Sequence, residues 1–410
     1  MVKYFEYKLT IPVTNTSLSD TAAAVKVEQT YRSDFLSYLG LAAQIPNVLF
    51  NVFNIIFQFG GKNLTLSITI AIVAEVILFI VTIILAMVDS SSWVPEFFIV
   101  TLATVVVLNI ANGVYQNSVY GLAAKLPMKY SNAVVLGSNI SGTFTSIVNI
   151  VAIALSPNVR VAAIYYFLAA LLVLLACFDT YFALPINKFY RHYCMIEDTE
   201  VSSTVDTKGG DSKRSFPPYW AVFKQIWVQC FNVFMVFFVT LSIFPAVHAE
   251  IKPIDEAFFG DVTDKYYSAV NCFLVFNLFA MVGNVFPNWF TIPGPKYLWV
   301  PVVARVLFIP FFLFCNYNPG ARQWPVLIDN DYVFIMGGVL LGLSSGYFSS
   351  LCMMYAPREV PPEHAGTAGM MAAACLVIGI FCGVNFSLVL SWAIKQDCSI
   401  YLEGQNETYL

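Results

Sequence analysis

The chain has 410 residues, of which 58% are hydrophobic and only 11% are charged, and its formal net charge is -4. Soluble domains carry roughly 25% charged residues, so this composition excludes an ordinary soluble protein and predicts a polytopic membrane protein. The negative net charge argues against nucleic acid as a partner. Most of the nine cysteines lie in apolar runs, which favours small buried residues over a disulfide framework.

Ten apolar segments come close to the length of about 20 residues that a bilayer-spanning helix needs. A polar connection at 185–219, rich in Ser, Thr, Asp, Lys and Gly, divides them five and five. We therefore predict an all-α polytopic membrane protein with an N-terminal bundle at 35–184 and a C-terminal bundle at 220–394. The predicted helices are 35–59, 65–88, 94–122, 132–155, 160–184, 220–247, 266–286, 296–315, 331–355 and 366–394.

Basic residues predict the orientation of these helices, because cytoplasmic loops are enriched in Lys and Arg. If the connection is cytoplasmic, most basic residues fall on its side, and the segments 1–34 and 395–410 are extracellular. Asn15 in "NTS" and Asn406 in "NET" are then glycosylation sequons on the outer side. Asn63 in "NLT" falls in an inner loop, so we expect it to stay unmodified.

The segment 1–34 shows no continuous apolar stretch of the kind that a cleavable signal peptide contains. A chain that starts outside without such a peptide is expected to lack a preceding helix. In this interpretation "YFEYKLTIPV" is at most a remnant of that first helix. A short natural isoform is the alternative.

Uncharged amides recur in three of the predicted helices. Asn112 and Gln116, four residues apart, share one helix face, and Gln44 and Asn47 lie in the first helix. The seventh helix carries Asn277 and Asn284. Amides can also join membrane helices to one another, so a structural role is the alternative for any single one. Because three helices present amides, we favour a polar cavity.

Few charges lie inside the apolar segments. Glu75 stands alone and is a candidate for proton coupling, whereas Arg305 is expected to bridge helices through carbonyls or a carboxylate. Paired carboxylates of the kind that mark a sodium site are missing, so the cavity suits a neutral polar solute with an aromatic face. Residues interpreted as sites of close helix packing or bending are Pro46, Gly142, Gly379 and Gly383.

Enzyme motifs are missing from the sequence: there is no HExxH, no G-x-S-x-G and no two-cysteine metal spacing. We therefore predict no catalytic residues, no cofactor and no metal site. Two bundles of similar size joined by a linker are typical of an alternating-access carrier. Such a carrier is expected in the plasma membrane, with a small-molecule substrate and the lipid bilayer as its partners.

Seven motifs follow one another along the chain: "MVDSSSW", "VYQNSVYGLAAKLP", "LPINKFYRHY", "IFPAVHAEI", "VVARVLFIPFFLFCN", "SSGYFSSLCMMYAP" and "AGTAGMMAAACLVIGIFCG". In this order they resemble the equilibrative nucleoside transporters over about residues 35–394. The resemblance implies a major-facilitator-like two-bundle fold of eleven helices, of which the ten found here are the second to the eleventh. It also implies facilitated diffusion of nucleosides, and in some members of nucleobases.

The resemblance further implies roles for particular residues. Gln116 matches the glutamine that hydrogen-bonds the nucleobase, and Gln44 and Asn47 match base-side positions. Residues that match cavity-lining positions are Phe244, Phe273, Asn277 and Ile380.

The chain departs from the family at several polar positions. In "FAMVGN", Ala280 and Asn284 stand where the family usually carries an aspartate and an arginine, and His364 and Gly366 stand where acids are common. Losing a charged hydrogen-bond partner costs about 1.5–3 kcal/mol, so ribose recognition is expected to weaken or the preference to shift toward nucleobases. Losing both charges together is self-consistent, because a lone buried arginine would cost more.

Three alternatives stay open at this point. One is a proton-linked nucleobase carrier, with Glu75 as the titrating group. Another is a carrier of organic cations, which would need an acid that the helix at 132–155 does not offer. The last is a non-transporting or truncated membrane protein of the same fold that acts through interactions.

Overall fold

The computed structural model describes residues 39–56, 64–88, 94–155, 159–193, 219–255, 258–320 and 322–396. The predictions for the segment 1–34, for most of the 185–219 linker and for the end of the 395–410 tail lie outside the described residues. The same holds for the sequons at Asn15, Asn63 and Asn406.

Each of the ten predicted segments contains an apolar helix in the part of the chain that the structure describes. Nine of these helices are long enough to cross a membrane, and the remaining one, Trp299–Phe314, is shorter. The all-α polytopic architecture predicted from the sequence is therefore confirmed. The helices are α1 Leu39–Ile56, α2 Leu64–Met87, α3 Val94–Ala124, α4 Met128–Leu155, α5 Val159–Ala183, α6 Tyr219–Ile243, α7 Ser268–Val285, α8 Trp299–Phe314, α9 Asp331–Tyr355 and α10 Ala365–Ala393.

The helices fall into two compact units. The first unit holds α1, α2, α3 and α5, and the second holds most of α4 together with α6 to α10. The sequence prediction placed α4 in the 35–184 bundle, and that bundle boundary stays a prediction.

Helix α2 shows why these helices suit a bilayer. One of its faces is buried and includes Ile68 and Ile72, both 0% exposed. The opposite face is also apolar and is largely exposed, as at Ile70, Ile77 and Ile84. A soluble helix carries polar residues on its outer face, so apolar residues on both faces indicate that the outer face contacts lipid.

Prolines determine where two helices of the second unit end or tighten. Helix α6 ends at Ile243, just before Phe244 and Pro245, because the residue that precedes a proline avoids the helical conformation. In α8, Pro310 cannot donate a hydrogen bond to the carbonyl of Val306. The turn Arg305–Leu307 is accordingly a 3₁₀ turn within the α-helix.

The connection between α6 and α7 is held by the first residue of α9. It contains a short β-strand, Phe258–Asp261, and a helical turn, Thr263–Tyr267. The carboxylate of Asp331 accepts hydrogen bonds from the backbone N–H groups of Ile254 and Asp255 and, at 2.7 Å, from the hydroxyl of Tyr267. Burial and this hydrogen bond raise the pKa of Tyr267 well above its ordinary value, so the hydroxyl remains a donor.

Candidate functional site

In the first unit, asparagines join α1 to α3. Asn117 donates to the side-chain oxygen of Asn51 at 3.0 Å. Asn54 donates in turn to the side-chain oxygen of Asn117 at 3.0 Å and to the hydroxyl of Ser118 at 3.1 Å. All four residues are almost fully buried. These polar groups therefore hold two membrane helices together, as amides do where water is absent.

A glycine on α3 allows this close approach. A Cβ atom added to Gly113 would lie 2.7 Å from the backbone oxygen of Asn47 and 3.2 Å from the backbone nitrogen of Asn51. Those atoms belong to the main chain and cannot rotate away. Only glycine therefore lets α3 lie this close to α1.

Gln116 lies one residue before Asn117, so its side chain is turned away by about 100° around the helix axis. Gln116 and Asn112 are half-buried, and neither side chain has a hydrogen bond within the described residues. On α1, the side-chain oxygens of Gln44 and Asn47 are buried and likewise have no partner among the described residues. These four amides retain hydrogen-bonding capacity, which a polar ligand or water can use.

Glu75 lies on the buried face of α2 and is 8% exposed. One of its carboxyl oxygens is buried without a hydrogen bond in the described chain. Its electrostatic neighbours are Tyr115 on α3 and Cys177 on α5, both uncharged when protonated. Among the described residues, no cationic side chain is recorded beside this carboxyl.

In the second unit, aromatic rings gather where α6 ends. The ring of Phe244 stacks on Phe276 with centroids 4.1 Å apart and meets Phe273 edge-on at 5.6 Å. Phe244 and Phe273 were predicted to line a cavity. The structure brings the two together and adds Phe276, which the sequence prediction did not include.

Asn277 lies one turn after Phe273 and contacts α4. Its side-chain nitrogen donates to the backbone oxygen of Phe273 at 2.8 Å and to the hydroxyl of Ser146 at 3.3 Å. A Cβ atom added to Gly142 would collide with the amide oxygen of Asn277. Gly142 therefore makes room for the Asn277 amide between α4 and α7.

Asn284 is 0% exposed and is used for contacts between helices. Its side-chain nitrogen donates to the backbone oxygen of Val135, and its side-chain oxygen accepts from Ser350 at 2.9 Å. Its backbone oxygen accepts from Asn132 at 3.1 Å. Ala280, one turn earlier, is buried under Gly346. The positions where the related family carries charges are here neutral and closely packed.

Arg305 is buried at 3% exposure and connects α8 to α6 and α9. Its guanidinium donates to the backbone oxygen of Val236 at 2.8 Å and to the hydroxyls of Thr240 at 2.7 Å and Ser344 at 3.1 Å. These acceptors are neutral carbonyl and hydroxyl oxygens, one of the two bridging arrangements that the sequence suggested. The planar fork of arginine suits several acceptors spread over two helices.

Three of the remaining candidate positions lie on α10. Cβ atoms added to Gly379 and Gly383 would each lie 2.6 Å from a backbone oxygen of α6, that of Phe234 or Phe238. Ile380, between the two glycines, is half-buried. Pro46 lies within α1. The two glycines let α10 pack directly on the α6 backbone.

The sequence analysis missed residues whose role depends on atoms of a neighbouring helix. Nothing in the sequence singles out Gly113 or Ser146. The role of Asn132 becomes visible only through its hydrogen bonds to the backbone oxygen of Asn284 and the side-chain oxygen of Asn288. Within the described ranges, no group of three or more His, Cys, Asp or Glu residues is arranged to hold a metal ion.

Comparison with known proteins gives a consistent result. The sequence profile described as "Nucleoside transporter" matches residues 102–395. Equilibrative nucleoside transporter 3 of Rattus norvegicus is 30% identical over 363 residues, which cover 85% of this chain and 76% of that protein. Equilibrative nucleoside transporter 1 of Homo sapiens is 31% identical over 394 residues, covering 90% and 84%. Equilibrative nucleoside transporter 2 of Rattus norvegicus is 27% identical over 425 residues, covering 95% and 91%.

Proposed function

This chain belongs to the nucleoside transporter family, and on that premise we infer that it moves nucleosides across a membrane by facilitated diffusion. It is an integral membrane carrier and not an enzyme. The observation that carries the inference is the 31% identity to a human equilibrative nucleoside transporter over 90% of the chain. The free amides on α1 and α3 and the aromatic cluster beside α6 supply chemistry that suits a nucleoside.

In the first unit we assign nucleobase recognition to Gln116 and Asn112 on α3 and to Gln44 and Asn47 on α1. An amide presents both a donor and an acceptor, which matches the paired edge of a base. The buried oxygens of Gln44 and Asn47 have no protein partner in the described residues, so a bound solute would supply one. A polar solute that leaves water needs such replacement hydrogen bonds.

In the second unit we assign contacts with the base and sugar to Phe244, Phe273, Asn277 and Ile380. Aromatic rings offer a flat apolar surface on which a base can stack. Asn284 is the weakest of the predicted binding residues, because it is fully buried and both its amide nitrogen and its amide oxygen have protein partners, on α4 and α9. Its geometry favours a structural role over contact with substrate.

The neutral contacts around Ala280 and Asn284 support a shift of preference toward nucleobases. A ribose would find no charged partner at these two positions. Hypoxanthine, which lacks the ribose, would lose nothing there. We therefore propose that the ratio of nucleobase to nucleoside transport is higher here than in relatives that carry the charged pair.

The direct experiment is uptake of radiolabelled uridine, adenosine and hypoxanthine by vesicles that contain the purified protein. We expect saturable uptake that stops at equal concentrations inside and outside, with or without a proton or sodium gradient. Accumulation above equilibrium that collapses with an ionophore would instead support a proton-linked carrier, and Glu75→Gln would then be the first variant to test. Uptake equal to that of empty vesicles for all three solutes would contradict the transport function.

We further propose that the linker at 185–219 is cytoplasmic, that 1–34 and 395–410 are extracellular, and that the protein lies in the plasma membrane. The basic residues on the linker side support this orientation. Expression in a eukaryotic secretory pathway should place glycans on Asn15 and Asn406 and none on Asn63. A glycan on Asn63 would reverse the proposed orientation.

A further inference from the structure

A cavity of about 810 Å³ opens on the surface of the second unit, and its lining includes none of the residues assigned to nucleoside binding. Its walls come from residues 225–231 in the N-terminal half of α6, from the segment that leads into α8, and from the turn after α9. Gln225 at its rim lies about 9 Å along the helix axis from Tyr219, the first residue of α6. The cavity therefore lies near the helix ends, where a membrane protein meets the lipid headgroups.

The floor of this cavity is polar and held in place. Gln229 is 0% exposed and donates from its side-chain nitrogen to the backbone oxygen of Pro295 at 3.2 Å and to the carboxylate of Glu359 at 3.1 Å. One buried amide thus connects the three walls. The hydrogen bond also occupies part of the Glu359 carboxylate, which reduces its capacity to bind an external cation.

The mouth of the cavity is aromatic and exposed. Trp227 is 55% exposed, Trp299 is 48% exposed and Phe231 is 41% exposed. Three large rings at one opening would be costly in water but are favourable against acyl chains. Tryptophan in particular is enriched where the hydrocarbon meets the headgroups.

The charges at the rim favour an anion. Lys296 lines the cavity, and Lys224, one turn before Val228 on α6, lies with its ammonium 5.5 Å from the ring centroid of Trp220. Both lysines are exposed, so they can reach a ligand from the side of the solvent. The charged residues that line the cavity are Lys296 and Glu359, and the Glu359 carboxylate already accepts a hydrogen bond from Gln229. Lys224 lies outside the lining and adds a second positive charge one turn away on α6.

We propose that this cavity binds one anionic phospholipid from the surrounding leaflet, with its phosphate at Lys296 and its acyl chains along Trp227, Phe231 and Trp299. The volume lies within the range of roughly 300–1,000 Å³ that ligand sites occupy, and a headgroup with the start of two chains fits it. The site is independent of the nucleoside-binding residues, so it stands or falls separately from the transport function.

The test is native mass spectrometry of delipidated protein titrated with phosphatidylserine or phosphatidylcholine. The wild-type protein should bind one phosphatidylserine in preference to phosphatidylcholine. Lys296→Gln should weaken that binding about fivefold, the effect of removing one lysine near an anionic headgroup. Lys252→Gln, at an exposed lysine beyond the opposite end of α6, should bind as the wild type does.

Two further measurements separate lipid binding at this site from misfolding and from simple anion binding. Thermal stability and uridine uptake identify a variant that is merely misfolded, and Trp227→Leu then serves as the second variant, with reduced binding expected. Inorganic phosphate should not compete with the lipid at equal concentration. Equal lipid binding by wild type and Lys296→Gln, or displacement of the lipid by inorganic phosphate, would overturn the proposal.

Discussion

Asn117 and Asn51 share a hydrogen bond of 3.0 Å that joins α3 to α1, while Gln116, the residue before Asn117, has no such bond in the described chain. Two adjacent amides on one helix therefore have different roles. Asn117 fixes the distance between two helices, and Gln116 keeps its donor and acceptor free. The amide-rich stretch of α3 combines a structural face with a face suited to a polar solute.

Gln116→Ala should weaken substrate affinity by about 1–2 kcal/mol, the value of a hydrogen bond to a desolvated group. Folding should be almost unaffected, because the substitution leaves no described protein group without its partner. Uptake kinetics in vesicles give the change in KM, and thermal unfolding gives the stability. A well-folded Gln116→Ala protein with unaltered uptake would remove Gln116 from the binding site.

Asn117→Ala is the matched control and should behave in the opposite way. The substitution leaves the buried amides of Asn51 and Asn54 without a shared partner, which costs about 1–3 kcal/mol of stability. The melting temperature should fall, and the KM of the surviving folded protein should stay near the wild-type value. A reversed result for the two variants would mean that the faces of α3 are wrongly assigned.

Gly142→Ala should change transport through Asn277. The added methyl group would collide with the Asn277 amide, whose side chain must rotate and lose its bonds to Ser146 and to the Phe273 carbonyl. If Asn277 contacts substrate, the KM for uridine should rise several-fold, with a loss of stability of about 1 kcal/mol.

Gly137→Ala tests the same change on the same helix. Nothing lies within 4 Å of a Cβ atom at Gly137. Alanine is favoured over glycine within a helix by about 0.5–1 kcal/mol, so this variant should be slightly more stable and should transport normally. Wild-type KM and stability in Gly142→Ala would show that the position of the Asn277 amide does not matter.

The sequence predicts where the helices lie far better than it predicts which faces meet. Helix α9 was predicted at 331–355 and is found at Asp331–Tyr355, because Asn330 caps its first turn and the apolar run is continuous. In a bilayer, however, both faces of a helix can be apolar, as in α2. Hydrophobic periodicity then no longer marks the buried side.

The assignment of polar residues has the same limit. Asn117 and Gln116 are equally polar in the sequence, and only the position of α1 separates their roles. Gly113 and Gly142 become informative once the opposing atoms of Asn47 and Asn277 are known. The bridging role of Arg305, by contrast, could be expected from the sequence, because a buried guanidinium needs several hydrogen-bond acceptors.

Tyr267→Phe should destabilise the connection between α6 and α7. It removes the 2.7 Å hydrogen bond to Asp331, and a hydrogen bond to a charged group contributes about 1.5–3 kcal/mol. Tyr297→Phe, at an exposed tyrosine of the same unit, should change stability by less than about 0.5 kcal/mol. Equal stability of the two variants would contradict the structural role of Tyr267.

The same residue should make stability depend on alkaline pH. The pKa of Tyr267 is raised in the folded protein, so its contribution is complete below the ordinary tyrosine value of about 10 and is lost as pH rises beyond it. The melting temperature of the wild type should fall more steeply above pH 10 than that of Tyr267→Phe. Parallel curves for the two proteins would show that another group controls this range.

Arg305→Lys should reduce the free energy of unfolding by about 2–4 kcal/mol, although the charge is kept. The guanidinium contacts Val236 and Thr240 on α6 and Ser344 on α9, whereas an ammonium donates from a single atom and cannot reach all three. Arg191→Lys, at an exposed position in the helix at 188–193, should change stability by less than about 0.5 kcal/mol. Thermal unfolding measures both effects, and uptake per folded molecule should be unchanged. If Arg305→Lys instead keeps the wild-type melting temperature and raises the KM, Arg305 acts on the substrate and not on the packing of α8.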